Sequence, residues 1–480
     1  MREIGRRHLF GLAGAAAVAL PLSCAREAQP PRGDEVARWV GEVAELTSYP
    51  TVDELNAAMD RLAAEFPDRV SVAELGRSRA GEPIRVVRIG TGAHSIAVLG
   101  NPHPNEPIGM ATIRHLTARL TDDPAMLEAL DATWHFVPCV DPDGTRLNEG
   151  WYPGPHTRTS VGRHFYRPPT AEQPEWCFPT EWRGRAFGTP MPETQALMRL
   201  IDDSRPAFIA SLHNADFGGG FFYTSGGDTS YWSALTDRLT AADIPIHGGQ
   251  PDAPGARRNA DGVFALPTIV TMSDAVDAVG VDPLTAFSGG GVLDYSARYR
   301  SAVLVAELPL WTDPRVADDT PSGQALSVVM DKAAAAYGDL ARLVGEALDP
   351  VTGGSEPGPL ERAVRAMAAS LPEMVTMKLQ EGQQDRIATV GEVWTEEYVW
   401  VGMLRLRLGG MLLRVLDDYV ARGVAAAGVQ RARVAALFDR WSADIESVAP
   451  GQPVPPRRLV EVQSAAILTG VVRVRDGLPV

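Results

Sequence analysis

Cysteine is scarce: the 480 residues hold three, Cys24, Cys139 and Cys177. With Cys24 in an N-terminal leader, the remainder of the chain can form at most one internal bond. Cys139 and Cys177 either pair in an oxidising compartment or stay as separate buried thiols. Positive charge is not in excess either. Asp and Glu outnumber Lys and Arg by 60 to 45, giving a formal net charge of −15, so duplex nucleic acid and anionic membrane are poor partners. Long hydrophobic runs are also missing. The apolar stretch Gly11 to Leu20 is too short to span a bilayer, and Val399 to Val420 is interrupted by Arg405, Arg407, Arg414, Asp417 and Asp418. What is there, 45% hydrophobic and 22% charged residues, is the composition of a globular protein.

Arg6-Arg7-His8-Leu9-Phe10 precedes the short apolar run, and Pro21-Leu22-Ser23-Cys24-Ala25 follows it. A basic start, a short apolar run and small residues predict an export signal over residues 1–25. The arginine pair is similar to a twin-arginine leader, which would place the mature protein outside the cytoplasm, in the cell envelope or secreted. Two fates stay open: cleavage to a soluble product, or lipidation of Cys24 and a membrane tether. Residues 26–44 read as a polar tether.

Hydrophobic periodicity then predicts alternating elements. A helix runs from Thr51 through Phe66, and strands cover Val70 to Leu75, Ile84 to Ile89 and Ser95 to Leu99. Further strands are His135 to Pro138, Phe208 to Leu212 and Ala302 to Ala306, with helices beginning at Pro192 and Gln324. The fold class is therefore α/β, a mixed, mostly parallel, doubly wound sheet flanked by helices, over residues 45–348. Residues 349–358 have linker composition, and 359–480 read as a mainly helical accessory domain without a chemical motif.

Chemistry-bearing residues collect at strand ends. His103 and Glu106 follow Ser95 to Leu99, His213 follows Phe208 to Leu212, and Glu307 follows Ala302 to Ala306. Two imidazoles and a carboxylate with one open position form a known catalytic zinc set. A further carboxylate commonly takes a proton from water at such a metal.

These segments, in this order, resemble the zinc carboxypeptidases of the carboxypeptidase A and B family. The resemblance runs from Tyr49 to Leu348 and rests on Gly76 to Gly81, His103-Pro-Asn-Glu106, Pro142-Asp143-Gly144, the helix begun at Pro192 and the strand that follows it to Ser211-Leu212-His213, and Val303 to Leu308. It implies one zinc per chain on His103, Glu106 and His213, with Glu307 as general base and then acid. It also implies Arg146 as the oxyanion-stabilising arginine, from Gly144 to Asn148, with Asn148 and Leu293 as substrate contacts. Arg163, within Gly162-Arg163-His164-Phe165, is the implied grip on a substrate's terminal carboxylate. The family's asparagine before that arginine is Gly162 here, and its mobile tyrosine falls near Ala286-Phe287. The implied substrate is the C-terminus of a peptide or protein. The rivals are a zinc amidase or deacylase acting on cell-wall peptides, and a catalytically silent binding protein of the same fold.

Overall fold

The computed structural model describes residues 33–249, 253–351 and 356–480; the leader and Cys24 lie outside them. Its centre is one mixed sheet. The strands are β1 (Val70–Arg77), β2 (Pro83–Ile89), β3 (His94–Leu99), β4 (Ala132–Val137), β5 (Phe208–Phe217), β6 (Phe221–Thr224), β7 (Arg257–Ala260), β8 (Val263–Ala265) and β9 (Ala302–Thr312). They lie in the order β1-β2-β4-β3-β5-β9-β6-β8-β7. The central strands β4, β3, β5 and β9 run parallel, and antiparallel β2 and β6 flank them.

Strand β3 shows why the sheet needs helices on both faces. Ile96 and Val98 belong to one apolar cluster, Ala97 and Leu99 to another, the alternation of a strand buried on either side. One face is covered by α3 (Ile108–Asp122), α7 (Thr229–Ala241) and α12 (Pro456–Arg475), the other by α6 (Pro192–Ser204). From β3 the chain proceeds to β4 on one side, then returns to place β5 on the other. The carboxyl ends of β3 and β5 thus flank a topological switch point, where open α/β sheets leave a crevice.

Two boundaries differ from expectation. The first is the division at 349–358. Helix α8 (Leu326–Leu348) does not close the sheet domain; its Tyr337, Leu340 and Val344 share an apolar cluster with α9 (Pro359–Glu381), α10 (Gly402–Ala421) and α11 (Ala425–Val448). The sheet is closed instead by α12, near the end of the chain, with Leu459, Val460, Ile467 and Val471 fully buried against it. An amphipathic pattern reveals that a helix has an apolar face, not which surface that face will meet.

The second is the tether. Its later part forms α1 (Gly33–Val40), where Val36 and Trp39 pack into the sheet's main core. The Arg119 guanidinium donates to the Trp39 carbonyl at 3.2 Å, and the His115 Nε2 lies 2.8 Å from the Val40 carbonyl. Helix α2 (Val52–Glu65) starts at a reciprocal cap: the Thr51 hydroxyl accepts from the Glu54 N–H, and the Glu54 carboxylate from the Thr51 N–H. Cys139 and Cys177 are separate buried thiols. No helix among the described residues is long and apolar enough to cross a membrane.

Candidate metal centre

Strand β3 ends at Leu99, and the loop to α3 carries His103 and Glu106. The loop is held from outside itself: Asn214 Oδ1, one residue past His213, accepts from the Ile108 N–H at 3.2 Å. His103 Nδ1 lies 3.1 Å from Glu106 Oε2. His213, on β5, brings its Nδ1 to 2.9 Å from the same oxygen and to 3.1 Å from His103 Nδ1. One donor atom from each residue lies within 4.8 Å of the others, and all three residues are buried.

Glu307 joins by register. It pairs directly with His213 across the parallel β5–β9 ladder, so both side chains leave the sheet on one face. Its Oε1 stands 3.7 Å from His213 Nδ1. The Glu307 side chain is 15% exposed against 4–7% for the three cluster residues, so it occupies the solvent side.

The arrangement suits a cation. Two imidazole nitrogens and a carboxylate oxygen turned on one point crowd their lone pairs unless a positive charge sits among them, and this mixture of N and O donors is one that zinc accepts. Burial depresses the basicity of His213, but the charges of Glu175 and Glu307 outweigh it and raise its pKa well above the usual range. At His103 burial and the Arg167 charge act the other way and lower the pKa, so an added positive charge is favoured on the His213 side of the cluster.

Glu175 is a residue the sequence did not single out. It comes from the long irregular segment after α5 (Arg158–His164) and lies behind the histidines. Its Oε2 is 3.1 Å from His213 Nε2 and 3.9 Å from His103 Nε2, while its Oε1 accepts from the Ser211 hydroxyl at 2.5 Å. Burial alone would raise its pKa; the His213 and His103 rings with the Ser211 hydroxyl hold it down at about 2. Each ring therefore turns Nδ1 toward Glu106 and Nε2 toward Glu175, an outer carboxylate of the kind that fixes ring orientation at metal sites. No local signal marks Gln173-Pro174-Glu175-Trp176; a carboxylate in an aperiodic stretch looks like any surface glutamate.

The expected substrate contacts lie elsewhere. Arg146, at the end of α4 (Pro142–Asn148), is not turned on the cluster: Nε donates to Glu82 at 2.8 Å and Nη2 to Asp53 at 2.7 Å, tying α4 to α2 and the β1–β2 turn. Asn148 is fully buried and spent on backbone. Its Nδ2 donates to the Gly144 and Tyr166 carbonyls, and its Oδ1 accepts from the Tyr166 N–H at 2.9 Å. Leu293 packs against the apolar cluster under α6. Arg163 faces the helices instead, 3.6 Å from Asp417 on α10.

The cause of that last displacement is a helix crossing. A Cβ on Gly410 would stand 2.0 Å from the Gly162 carbonyl, and one on Gly162 would stand 2.5 Å from the Leu406 Cβ. Gly162 and Gly410 let α5 and α10 touch, which turns Arg163 into that interface. The arginine that does reach the cluster is Arg167. Its Nη1 donates to Glu106 Oε1 at 2.8 Å, and its Nη2 lies 3.4 Å from Gln173 Oε1. The neighbouring arginines are committed elsewhere: Arg158 to the Ala449 and Tyr398 carbonyls, Arg183 to Asp274 and Asp277, Arg185 to Asp282.

Residues 55–236 match the sequence profile of a family described as zinc carboxypeptidase. The matched stretch contains His103, Glu106 and His213 and stops short of Glu307. Carboxypeptidase B of Astacus astacus is 27% identical over 103 residues, covering 20% of this chain and 34% of that protein. Zinc carboxypeptidase A 1 of Anopheles gambiae is 33% identical over 127 residues, 25% of this chain and 29% of that protein. The chain thus spans about a third or less of the length of these curated relatives. Among solved structures, carboxypeptidase A from Helicoverpa armigera aligns at 17% identity with a TM-score of 0.37, covering 58% of this chain and 71% of that one.

Proposed function

We propose that this chain, whose residues 55–236 match the profile of a family described as zinc carboxypeptidase, is a zinc-dependent metallocarboxypeptidase that hydrolyses the peptide bond next to a free C-terminal carboxylate. The convergence of His103, Glu106 and His213 within 4.8 Å, with Glu307 beside them at 3.7 Å, carries this reading. His103, Glu106 and His213 would hold the zinc, which when bound supplies Lewis acidity toward the scissile carbonyl and toward water. The Glu307 carboxylate, on the solvent side, accepts the proton that water loses as it attacks and returns it to the leaving amine nitrogen. Arg167, the guanidinium at the cluster, replaces Arg163 as the group meeting the substrate's carboxylate.

The test is Glu307→Gln: peptide hydrolysis should fall by at least about a thousandfold, with zinc content per chain unchanged. Full turnover in that variant refutes the assignment. One observation favours a second reading, an amidase or deacylase indifferent to a free carboxylate: Arg163 is turned away and Arg167 is already engaged by Glu106 and Gln173. Peptides with free and amidated C-termini separate the two, because a carboxypeptidase cleaves only the former. Export is part of the proposal and rests on Arg6-Arg7 and the short apolar run after them; fractionation of cells carrying Arg6-Arg7→Lys-Lys tests it.

A further inference from the structure

Helix α12 belongs to no motif, yet it carries a fully buried carboxamide, Gln463, between α3 and the sheet. Its Nε2 donates to the His213 carbonyl at 3.0 Å and to the Ala306 carbonyl at 3.4 Å. Its Oε1 accepts from the Thr112 hydroxyl at 2.8 Å. These partners are not arbitrary places in the core. The His213 carbonyl belongs to a proposed metal ligand, and the Ala306 carbonyl to the peptide immediately before Glu307. Thr112 lies on α3, the helix that begins just past Glu106. One side chain therefore joins the three chain segments carrying His103, Glu106, His213 and Glu307.

Resting on the metallopeptidase reading above, we propose that Gln463 is a positioning residue that sets the separation of these segments and so the geometry of the metal site. A buried polar side chain is costly unless satisfied, and a glutamine merely satisfied there could use any carbonyl within reach. This one holds the peptide after His213 and the peptide before Glu307 together, so a displacement of either strand end changes the distance between ligand and base. Sites of this kind tolerate about 0.5 Å of such movement. The helix arrives only after the α8–α11 module has been traversed, so the centre is complete only once the last helix has docked.

The test uses the full chain and zinc or cobalt(II) as probe. Gln463→Met keeps the volume and removes donor and acceptor. Thr112→Val removes only the link to α3 and serves also if the Met variant does not accumulate. Val471→Ala, on the same helix but away from the strand carbonyls, lowers stability through a core void alone. The zinc dissociation constant by chelator competition should rise about tenfold or more in Gln463→Met and less, in the same direction, in Thr112→Val. The visible spectrum of the cobalt(II) protein should change in both. Val471→Ala should lose thermal stability with zinc affinity and cobalt spectrum unchanged. Zinc affinity and spectrum of wild-type character in the glutamine and threonine variants, or an equal loss in Val471→Ala, overturn the proposal. Failure of the wild-type chain to bind zinc overturns the metallopeptidase reading itself.

Discussion

Replacing Glu175 by Gln probes the metal centre from behind without touching a proposed ligand. The carboxylate is buried, receives the Ser211 hydroxyl at 2.5 Å and stands 3.1 Å from His213 Nε2. Glutamine keeps the shape. Its carbonyl oxygen can still accept from the ring, and the Ser211 hydroxyl can rotate to accept from the amide. What disappears is the charge. Hydrogen bonds to charged groups are worth about 1.5–3 kcal/mol and neutral ones about 0.5–1.5 kcal/mol, so the His213 contact weakens by about 1–1.5 kcal/mol. The ring becomes a poorer electron donor through Nδ1, and at about 1.4 kcal/mol per decade zinc affinity should fall about tenfold. Chelator competition measures the dissociation constant, and thermal unfolding of the metal-free protein checks that the fold is intact. A zinc affinity within about twofold of wild type, in a variant of unchanged metal-free stability, would refute the idea that Glu175 tunes the His213 ring.

Asp141 gives a pH-dependent prediction. It is fully buried, with Oδ1 accepting from the Gly144 N–H at 2.9 Å. Burial, helped by the charges of Glu193 and Asp143, raises its pKa from 3.8 to about 7 against the pull of that N–H and of Arg79. A folded-state pKa above the unfolded value means the protonated form is preferred, so its contribution is complete below about pH 4 and is lost as pH rises through about 7. Asp141→Asn keeps the cap and removes the titration; in urea unfolding the variant should gain on wild type by about a few kcal/mol between pH 4 and pH 8, and an equal difference at both pH values would contradict it. Helix packing supplies a paired test. Gly410→Ala forces a Cβ to 2.0 Å from the Gly162 carbonyl and should cost more than about 2 kcal/mol. Gly428→Ala, with nothing within 4 Å of the added atom, should gain about 0.5–1 kcal/mol; denaturation midpoints that rank the two variants the other way would sink the close-contact account.

Whatever depends on neighbours along the chain is legible in the residues alone. Buried strands announce themselves by short apolar runs, and β3, β5 and β9 follow Ser95 to Leu99, Phe208 to Leu212 and Ala302 to Ala306. His103, Glu106, His213 and Glu307 stand out for the same reason, because a polar group at the end of such a run has to have a partner or a task. Gly162, met in the sequence as a departure from the family's asparagine, also had a meaning there. Its meaning, room for α10, required a helix far downstream.

The remaining features arise from contacts between segments far apart in the chain. Which arginine meets the cluster depended on where α5 lands: Arg163 and Arg167 are chemically identical and four positions apart, and only the crossing at Gly162 and Gly410 turns the first away. Glu175 acquires its role from two imidazoles, one on the loop after β3 and one on β5, and Gln463 from carbonyls on β5 and β9. Those contacts span from 38 residues, Glu175 to His213, to 250, Gln463 to His213, and an amphipathic pattern, being local, says nothing about them. For the same reason α12 reads as part of a separate helical domain until the sheet is there to receive it.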